Sequence, residues 1–302
     1  MSTAVRAAIA AEFLPHVRFD EPLSRHTSWH AGGPADAFYT PRSADELGRF
    51  LATLPRSVPV FWLGLGSNTL VRDGGLRGVV VSLHLGLDRL ERLGATRVHA
   101  DAGVPCARLA RQCARWLLGP AEFFAGIPGT IGGALTMNAG AWGGETWPHV
   151  VEVDVIDRSG LCRTREAGEY RYGYREVHAP APDEWFIAAR FQFAPAPGAT
   201  AQTIKNLLLE RREKQPIGAW SCGSTFTNPA GDHAARLIES AGLKGFRIGG
   251  AVVSVKHANF LINEGEASAA DIEALIGHVR TEVERQHGVR LQTEVRIVGE
   301  AA

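Results

Sequence analysis

Ala125-Gly-Ile-Pro-Gly-Thr-Ile-Gly-Gly-Ala-Leu-Thr-Met-Asn-Ala-Gly-Ala-Trp-Gly-Gly-Glu145 is the stretch on which the reading of this chain turns. Seven glycines fall between Gly126 and Gly144, with no charged residue among them. Glycine admits close backbone approach and positive φ at an entropic cost, and it makes a poor helix and a poor strand. That cost makes sense where backbone N–H groups line a large, flat or polyanionic ligand with no side chains in the way. A flexible linker is the plain alternative. Linkers, however, are rich in Ser, Pro or charge, whereas Ile127, Ile131, Leu135, Met137 and Trp142 here want burial.

Upstream, Ser43 with Glu46 three residues on forms a capping box for a helix over 43–54, with Leu47, Phe50, Leu51 and Leu54 on one face and Pro55 closing it. The apolar run 58–63 suits a buried strand and leads into Gly64-Leu-Gly-Ser-Asn-Thr69. As GxG after a strand this turn is a weak match to a Rossmann fingerprint, since no third glycine and no apolar-periodic helix follow. The preferred reading is a tight loop whose N–H groups and the Ser67, Asn68 and Thr69 side chains hold a diphosphate; an ordinary β-turn stays open. Residues 78–83 and 97–102 read as strands. Residues 104–118 read as a helix, with Pro105 in its first turn and Leu109, Cys113, Trp116 and Leu117 on one side.

Downstream the period changes to two. Val151, Val153 and Val155 alternate with Glu152 and Asp154, Ser159-Gly160 turns the chain, and Trp185, Ile187, Ala189, Phe191 and Phe193 share a face. Ala194-Pro-Ala-Pro-Gly-Ala199 reads as a link between an N-terminal domain over 1–195 and a C-terminal domain over 200–302. Beyond it come a helix over 200–214 with Ile204, Leu207 and Leu208 inward, a loop over 220–229, and a short helix over 232–240 ended by Gly242. Strands over 251–255 and 259–262 follow, then a helix capped by Ser268 and Asp271. In the last strand, 291–298, Leu291, Thr293, Val295 and Ile297 oppose Gln292, Glu294 and Arg296. The last strand is a candidate to return to the N-terminal domain. The arrangement is α+β rather than a regular βαβ alternation.

At 302 residues the chain has room for two cores. Lys plus Arg and Asp plus Glu both total 32, and no basic run is interleaved with stacking aromatics, so nothing asks for nucleic acid or an anionic membrane. The first residues lack a signal-peptide apolar core, and no apolar run reaches membrane-spanning length. Cys106, Cys113, Cys162 and Cys222 make no CxxC pair, which fits reduced thiols in a cytoplasmic protein.

Gly64-Leu-Gly-Ser-Asn68, Gly126-Ile-Pro-Gly-Thr-Ile-Gly-Gly133, Asn138-Ala-Gly-Ala-Trp142, Tyr172-Gly-Tyr-Arg-Glu176, Cys222-Gly-Ser-Thr-Phe-Thr-Asn-Pro229, Lys244-Gly245 and Glu294-Val-Arg296 occur in that order. The series closely resembles the MurB family, the UDP-N-acetylenolpyruvoylglucosamine reductases of bacterial cell-wall synthesis, over about 23–299. The resemblance implies an FAD-binding domain of vanillyl-alcohol-oxidase type followed by a smaller α+β substrate-binding domain. It implies non-covalent FAD, NADPH as hydride donor, and reduction of UDP-N-acetylglucosamine enolpyruvate to UDP-N-acetylmuramate. The expectation is a monomer. With only 194–199 between the 185–193 strand and the next helix, the chain is similar to the shorter form of the family, which lacks a tyrosine-bearing insertion; Thr227 stands where a lysine follows the Gly-Ser-x-Phe signature.

By the same resemblance, Arg175, Ser224 and Glu294 carry the chemistry. A guanidinium suits the substrate carboxylate, a held hydroxyl can protonate a strongly basic carbon, and an acid can steady the developing charge. By local sequence alone, Arg175 could equally be a surface partner of Glu176, Ser224 a turn serine and Glu294 a solvated strand residue. Lys214, Asn228, Lys244 and His257 match positions that contact the UDP sugar, and Tyr174 either lies beside the substrate or packs. FAD is expected against Thr27, Gly64, Leu65, Gly66, Ser67, Asn68, Thr69, Gly126, Ile127, Pro128, Gly129, Thr130, Gly132, Gly133 and Asn138. Cys222 has no paired base in view and reads as structural. The rivals are a sugar or lactone oxidase, some of which bind flavin covalently to a histidine such as His26 or His30 would offer, and a silent UDP-sugar binder.

Overall fold

A computed structural model of the protein describes residues 2–302. The helices are α1 (Ser2–Ala8), α2 (Ala44–Thr53), α3 (Cys106–Arg115), α4 (Ile131–Met137), α5 (Ala201–Lys214), α6 (Ala234–Ser240) and α7 (Ala269–His287). The strands up to the glycine stretch are β1 (Val17–Pro22), β2 (Pro34–Tyr39), β3 (Val60–Leu63), β4 (Thr69–Val71), β5 (Leu76–Ser82), β6 (Leu90–Leu93), β7 (Arg97–Asp101) and β8 (Leu118–Gly119). Then follow β9 (Gly140–Ala141), β10 (Gly144–Glu145), β11 (Val150–Asp157), β12 (Cys162–Glu166), β13 (Arg171–Gly173), β14 (Glu176–His178), β15 (Glu184–Gln192) and β16 (Ala194–Pro195). The last are β17 (Arg247–Ile248), β18 (Ala251–Val253), β19 (Leu261–Asn263) and β20 (Arg296–Val298).

These elements sort into two compact units, each assembled from three segments: 1–19, 37–65 and 78–209 in the first, and 20–36, 66–77 and 210–302 in the second. The first unit holds a sheet of order β12-β11-β15-β7-β6, antiparallel throughout. Val98, Ala100, Val153, Ala189 and Phe191 on this sheet pack with Leu109 and Cys113 of α3 and Ile131 and Leu135 of α4. A bulge between Asp154 and Val155 leaves Ile187 without a partner across the ladder. An unpaired residue turns the strand. Ala189, Phe191 and Phe193 therefore stay in this core, while Ile187 joins a second one and Trp185 packs against that, stacked on Trp62 at 5.0 Å. The single apolar face expected over 185–193 is thus split.

That second core lies under the sheet of order β1-β2-β5-β3, whose β3 and β5 run parallel. Leu47, Phe50 and Leu51 of α2 pack on Ala37, Tyr39, Val79 and Val81. Ser43 caps α2 as expected, its Oγ accepting from Glu46 N, but the capping box is not reciprocal. Glu46 instead accepts from the Tyr39 hydroxyl at 2.8 Å and from Arg42 N at 3.0 Å. Burial and the Glu46 carboxylate both push the Tyr39 phenol far above its ordinary pKa.

Other expectations need correction. Pro105 is the N-cap of α3 rather than part of its first turn, and Leu117 is exposed in a left-handed conformation just beyond the helix. The glycine stretch does contain a helix, α4. Thr130 Oγ1 accepts from Gly133 N at its start, Asn138 closes it with φ 41°, and Ile131, Ala134 and Leu135 are buried. Packing of those side chains outweighs the glycine propensity penalty, which is about 1 kcal/mol per residue. The proposed link 194–199 lies inside the first unit, because β16 pairs with β8 and Ala196 N donates to Leu117 O at 2.7 Å. In α5 only Ile204 is buried, and Leu208 faces out.

The second unit is built on α7. Ile272, Leu275, Ile276, Val279 and Val283 meet Leu237 and Ile238 of α6, Trp29, and the antiparallel sheet β17-β18-β19. Here Ser268 and Asp271 do cap each other's backbone N–H. Trp29 is fully buried and donates from Nε1 to Leu261 O at 2.8 Å. β20 pairs in parallel with β4 of the same unit. The last strand is shorter than expected: 296–298 forms the ladder, and 291–295 makes only an isolated bridge, Thr293 to Phe226. No described helix is long and apolar enough to cross a membrane. All four cysteines are free thiols.

Candidate active site

Within the second unit the structure brings two expected catalytic segments side by side. Glu294 N donates to Thr225 O at 2.9 Å, and Thr227 N donates to Gln292 O at 3.0 Å. The backbone of the Ser224 loop is thereby laced to the segment carrying Glu294. Asn68 adds a third strand of contact, since its Nδ2 donates to Glu294 O at 3.0 Å and its carbonyl accepts from Arg296 N at 3.0 Å. Asn68 belongs to the glycine-turn motif, so one loop expected to hold flavin and two catalytic candidates share a single hydrogen-bonded frame. Ser224 and Glu294 are each half-buried.

Asn259, which the sequence reading passed over, holds the Ser224 loop from the other side. Its Oδ1 accepts from Phe226 N at 2.9 Å, its Nδ2 donates to Phe226 O at 2.8 Å, and its own carbonyl accepts from Thr225 N at 2.9 Å. It is buried and imitates a strand's edge with both backbone groups of Phe226. Only its place two residues beyond His257 pointed to it. Cys222 is buried, and burial pushes its thiol up to about 12, so it is inert as a nucleophile.

Gly66, at φ 59°, is the tight point of the motif: a Cβ there would overlap the carbonyl oxygen of His26. Thr27 is buried beside it and donates to Ala31 O at 3.0 Å. Gly66→Ala should therefore destabilise the protein by about 1–3 kcal/mol through overpacking and backbone strain. A thermal melt set against the flavin-to-protein ratio measures it, with both falling together.

The first unit holds the other residues expected to meet flavin, and Arg175. Gly64 meets the N-cap of α4 so closely that a Cβ on it would lie 2.6 Å from Thr130 Oγ1. The two glycine motifs are thus in contact at Gly64 and Thr130. Three of the backbone donors in the Gly126–Gly133 motif, two of them on residues expected against FAD, are already used, however. Ile131 N donates to Val104 O, Gly132 N to Ala102 O and Gly133 N to Thr130 Oγ1. The Asn138 side chain is likewise bonded within the chain. It is fully buried, with Nδ2 donating to Glu145 Oε2 at 2.9 Å and to Gly173 O at 2.9 Å, and Oδ1 accepting from Trp147 N at 3.0 Å.

Arg175 sits at the tip of the β13–β14 hairpin with φ 60°. Its Nη1 donates to Asn138 O at 3.4 Å and its Nη2 to Gly140 O at 3.1 Å, with the guanidinium 5.0 Å from the ring centre of Tyr174. The surface pairing with Glu176 is not what forms; Glu176 lies 2.9 Å from His178 instead. Tyr174 is half exposed.

The UDP-sugar candidates are all in the second unit. Lys214 pairs with Glu210 and Lys244 with Glu239, both at 2.6 Å and near solvent. Asn228 accepts from Ala234 N at 3.1 Å, capping α6. His257 has its Nδ1 buried without a partner among the described residues, and burial, helped by the charge of Lys244, holds the imidazole below its ordinary pKa. Of the histidines considered for covalent flavin, His26 bonds Glu21 at 2.7 Å and His30 lies against the Trp220 ring.

Residues 215–298 match the C-terminal domain model of UDP-N-acetylenolpyruvoylglucosamine reductase, and residues 35–165 match the FAD binding domain. The UDP-N-acetylenolpyruvoylglucosamine reductase of Alkalilimnicola ehrlichii is 57% identical over 94% of this chain and 95% of its own length. That of Methylococcus capsulatus is 54% identical over 93% and 92%. The crystal structure of the reductase MurB from Thermus caldophilus superposes with a TM-score of 0.79 at 30% identity, covering 93% of this chain and 97% of that one. Identity of this depth along nearly the full length of both partners places the chain in the MurB family of UDP-N-acetylenolpyruvoylglucosamine reductases.

Proposed function

We propose that the protein reduces the enolpyruvyl ether of UDP-N-acetylglucosamine enolpyruvate to UDP-N-acetylmuramate, a step of peptidoglycan synthesis, with non-covalent FAD as carrier and NADPH as hydride donor. Gly133 supports the cofactor. It lies exposed in α4 with ordinary helical backbone, and a Cβ on it would meet nothing closer than Thr130 Oγ1 at 3.9 Å. Nothing inside the chain asks for glycine there, at a helical position where it costs about 1 kcal/mol. A flat group approaching the backbone does. The residues we assign to FAD are Thr27, Gly64–Thr69, Gly126–Thr130, Gly132 and Gly133, acting through shape and backbone more than through the three donors already spent.

FAD held by these residues would, once reduced by NADPH, supply the hydride that the terminal carbon of the enolpyruvyl double bond takes up. The electron pair then resides on the carbon next to the carboxylate and is shared with it. Arg175 holds that carboxylate by charge-assisted hydrogen bonds as the charge grows. The Ser224 hydroxyl delivers a proton to the carbon, and the resulting alkoxide regains a proton from solvent. Glu294 orients Ser224 or steadies the charge in its protonated form. Lys214, Lys244, Asn228 and His257 take up the UDP portion, Lys214 and Lys244 exchanging Glu210 and Glu239 for a diphosphate, and Tyr174 lies beside the substrate. The same reading has the enzyme act as a monomer in the cytoplasm, without nucleic acid or membrane.

The observation that carries the chemistry is the hydrogen-bonded frame that ties the Ser224 loop, through Thr225 and Thr227, to the Glu294 segment and Asn68. The experiment is anaerobic: NADPH should bleach the flavin band of the purified protein, and the enolpyruvyl UDP sugar should restore it. Protein that stays yellow with NADPH, or bleached protein that the sugar does not reoxidise, overturns the proposal.

A further inference from the structure

We propose that Asn138 is a positioning residue for Arg175. The inference rests on the role just assigned to that arginine. Asn138 reaches the hairpin that carries the arginine twice. Its carbonyl accepts from the guanidinium directly, and its amide donates to Gly173 O, two residues before Arg175 on the same hairpin. Glu145 and Trp147 N fix which way the amide points, because the backbone N–H of Trp147 requires the oxygen and the Glu145 carboxylate requires the nitrogen.

A helix cap alone does not account for this residue. The left-handed conformation at a helix end is taken by glycine at lower cost, with the same backbone bonds. What asparagine adds is the set of side-chain bonds, and one of them leads to the hairpin. That hairpin needs a restraint, since Arg175 occupies a left-handed conformation that is unfavourable for any residue but glycine, Asn or Asp. Such a conformation persists where neighbours over-determine it. Asn138 and Gly140, through their carbonyls, and Asn138, through its amide, restrain both the guanidinium and the backbone that carries it.

Asn138→Gly separates the two roles, because it keeps the left-handed backbone and the carbonyl and removes the amide. In the FAD-loaded enzyme, reoxidation by the enolpyruvyl UDP sugar should slow about ten-fold, while bleaching by NADPH changes less than about two-fold. In an Arg175→Ala background the same substitution should slow reoxidation by less than about two-fold further, the non-additivity of residues acting as one unit. An equal loss in both backgrounds, or no loss in the first, overturns the inference and leaves the role of Arg175 standing. No effect of Arg175→Ala alone overturns both. If Asn138→Gly does not retain flavin, Asn138→Asp serves in the same cycle, since it keeps the shape and loses the donors to Gly173 and Glu145.

Discussion

Ser224→Ala should bleach with NADPH at the normal rate and then reoxidise about 10³-fold more slowly with the enolpyruvyl UDP sugar, within the range that a positioned acid contributes. The asymmetry is the informative part. A serine hydroxyl is too weak an acid to act on anything but a strongly basic carbon, and only the second half of the cycle produces one. Stopped-flow traces of the two halves separate the cases. The alanine also tests position, because the backbone bonds from Thr225 to Glu294 and to Asn259 do not use the serine side chain. Melting temperature should therefore move little. A variant slowed equally in both halves would point to a damaged loop instead of a lost proton.

Arg175→Ala should raise the KM for the enolpyruvyl sugar at least about ten-fold and lower kcat about 10²-fold, as expected for loss of a donor to developing charge. Arg175→Lys should recover little of this. A single ammonium cannot span the carbonyls of Asn138 and Gly140 from two nitrogens and keep a planar edge toward a carboxylate. Steady-state kinetics with both variants measures it. Full recovery by lysine would reduce the arginine to a point charge.

Much of the local structure was legible in the sequence because the signals were local. Ser268 and Asp271 announce α7 by their spacing, and the reciprocal cap is there. The period-two run at Val151–Val155 is a strand. What was not legible depended on distant partners. α4 runs against glycine propensity and is held by buried Ile131 and Leu135 and by bonds to Ala102 and Val104. The bulge opposite Asp154 broke a five-residue apolar alternation that carries no glycine or proline to warn of it. The motifs named Arg175, Ser224 and Glu294, but they could not reveal that Asn138 faces inward or that Asn259 braces the Ser224 loop. Both are single polar residues, and the contacts that give them these roles, Asn138 to Gly173 and Arg175 and Asn259 to Phe226, span 33–37 positions.

The interleaving of the two units also bears on how the protein is made. Trp29 waits for Leu261, 232 residues later, before its indole finds its acceptor. Segments 20–36 and 66–77 leave the ribosome long before 210–302, the remainder of their unit. Throughout that interval their apolar side chains lack their final surroundings, and a messenger truncated after residue 209 would yield a chain in which they never acquire them. A cut at the proline-rich 194–199 segment should accordingly not release two self-sufficient halves, and chaperone dependence during synthesis should fall only once the C-terminal helix α7 has emerged.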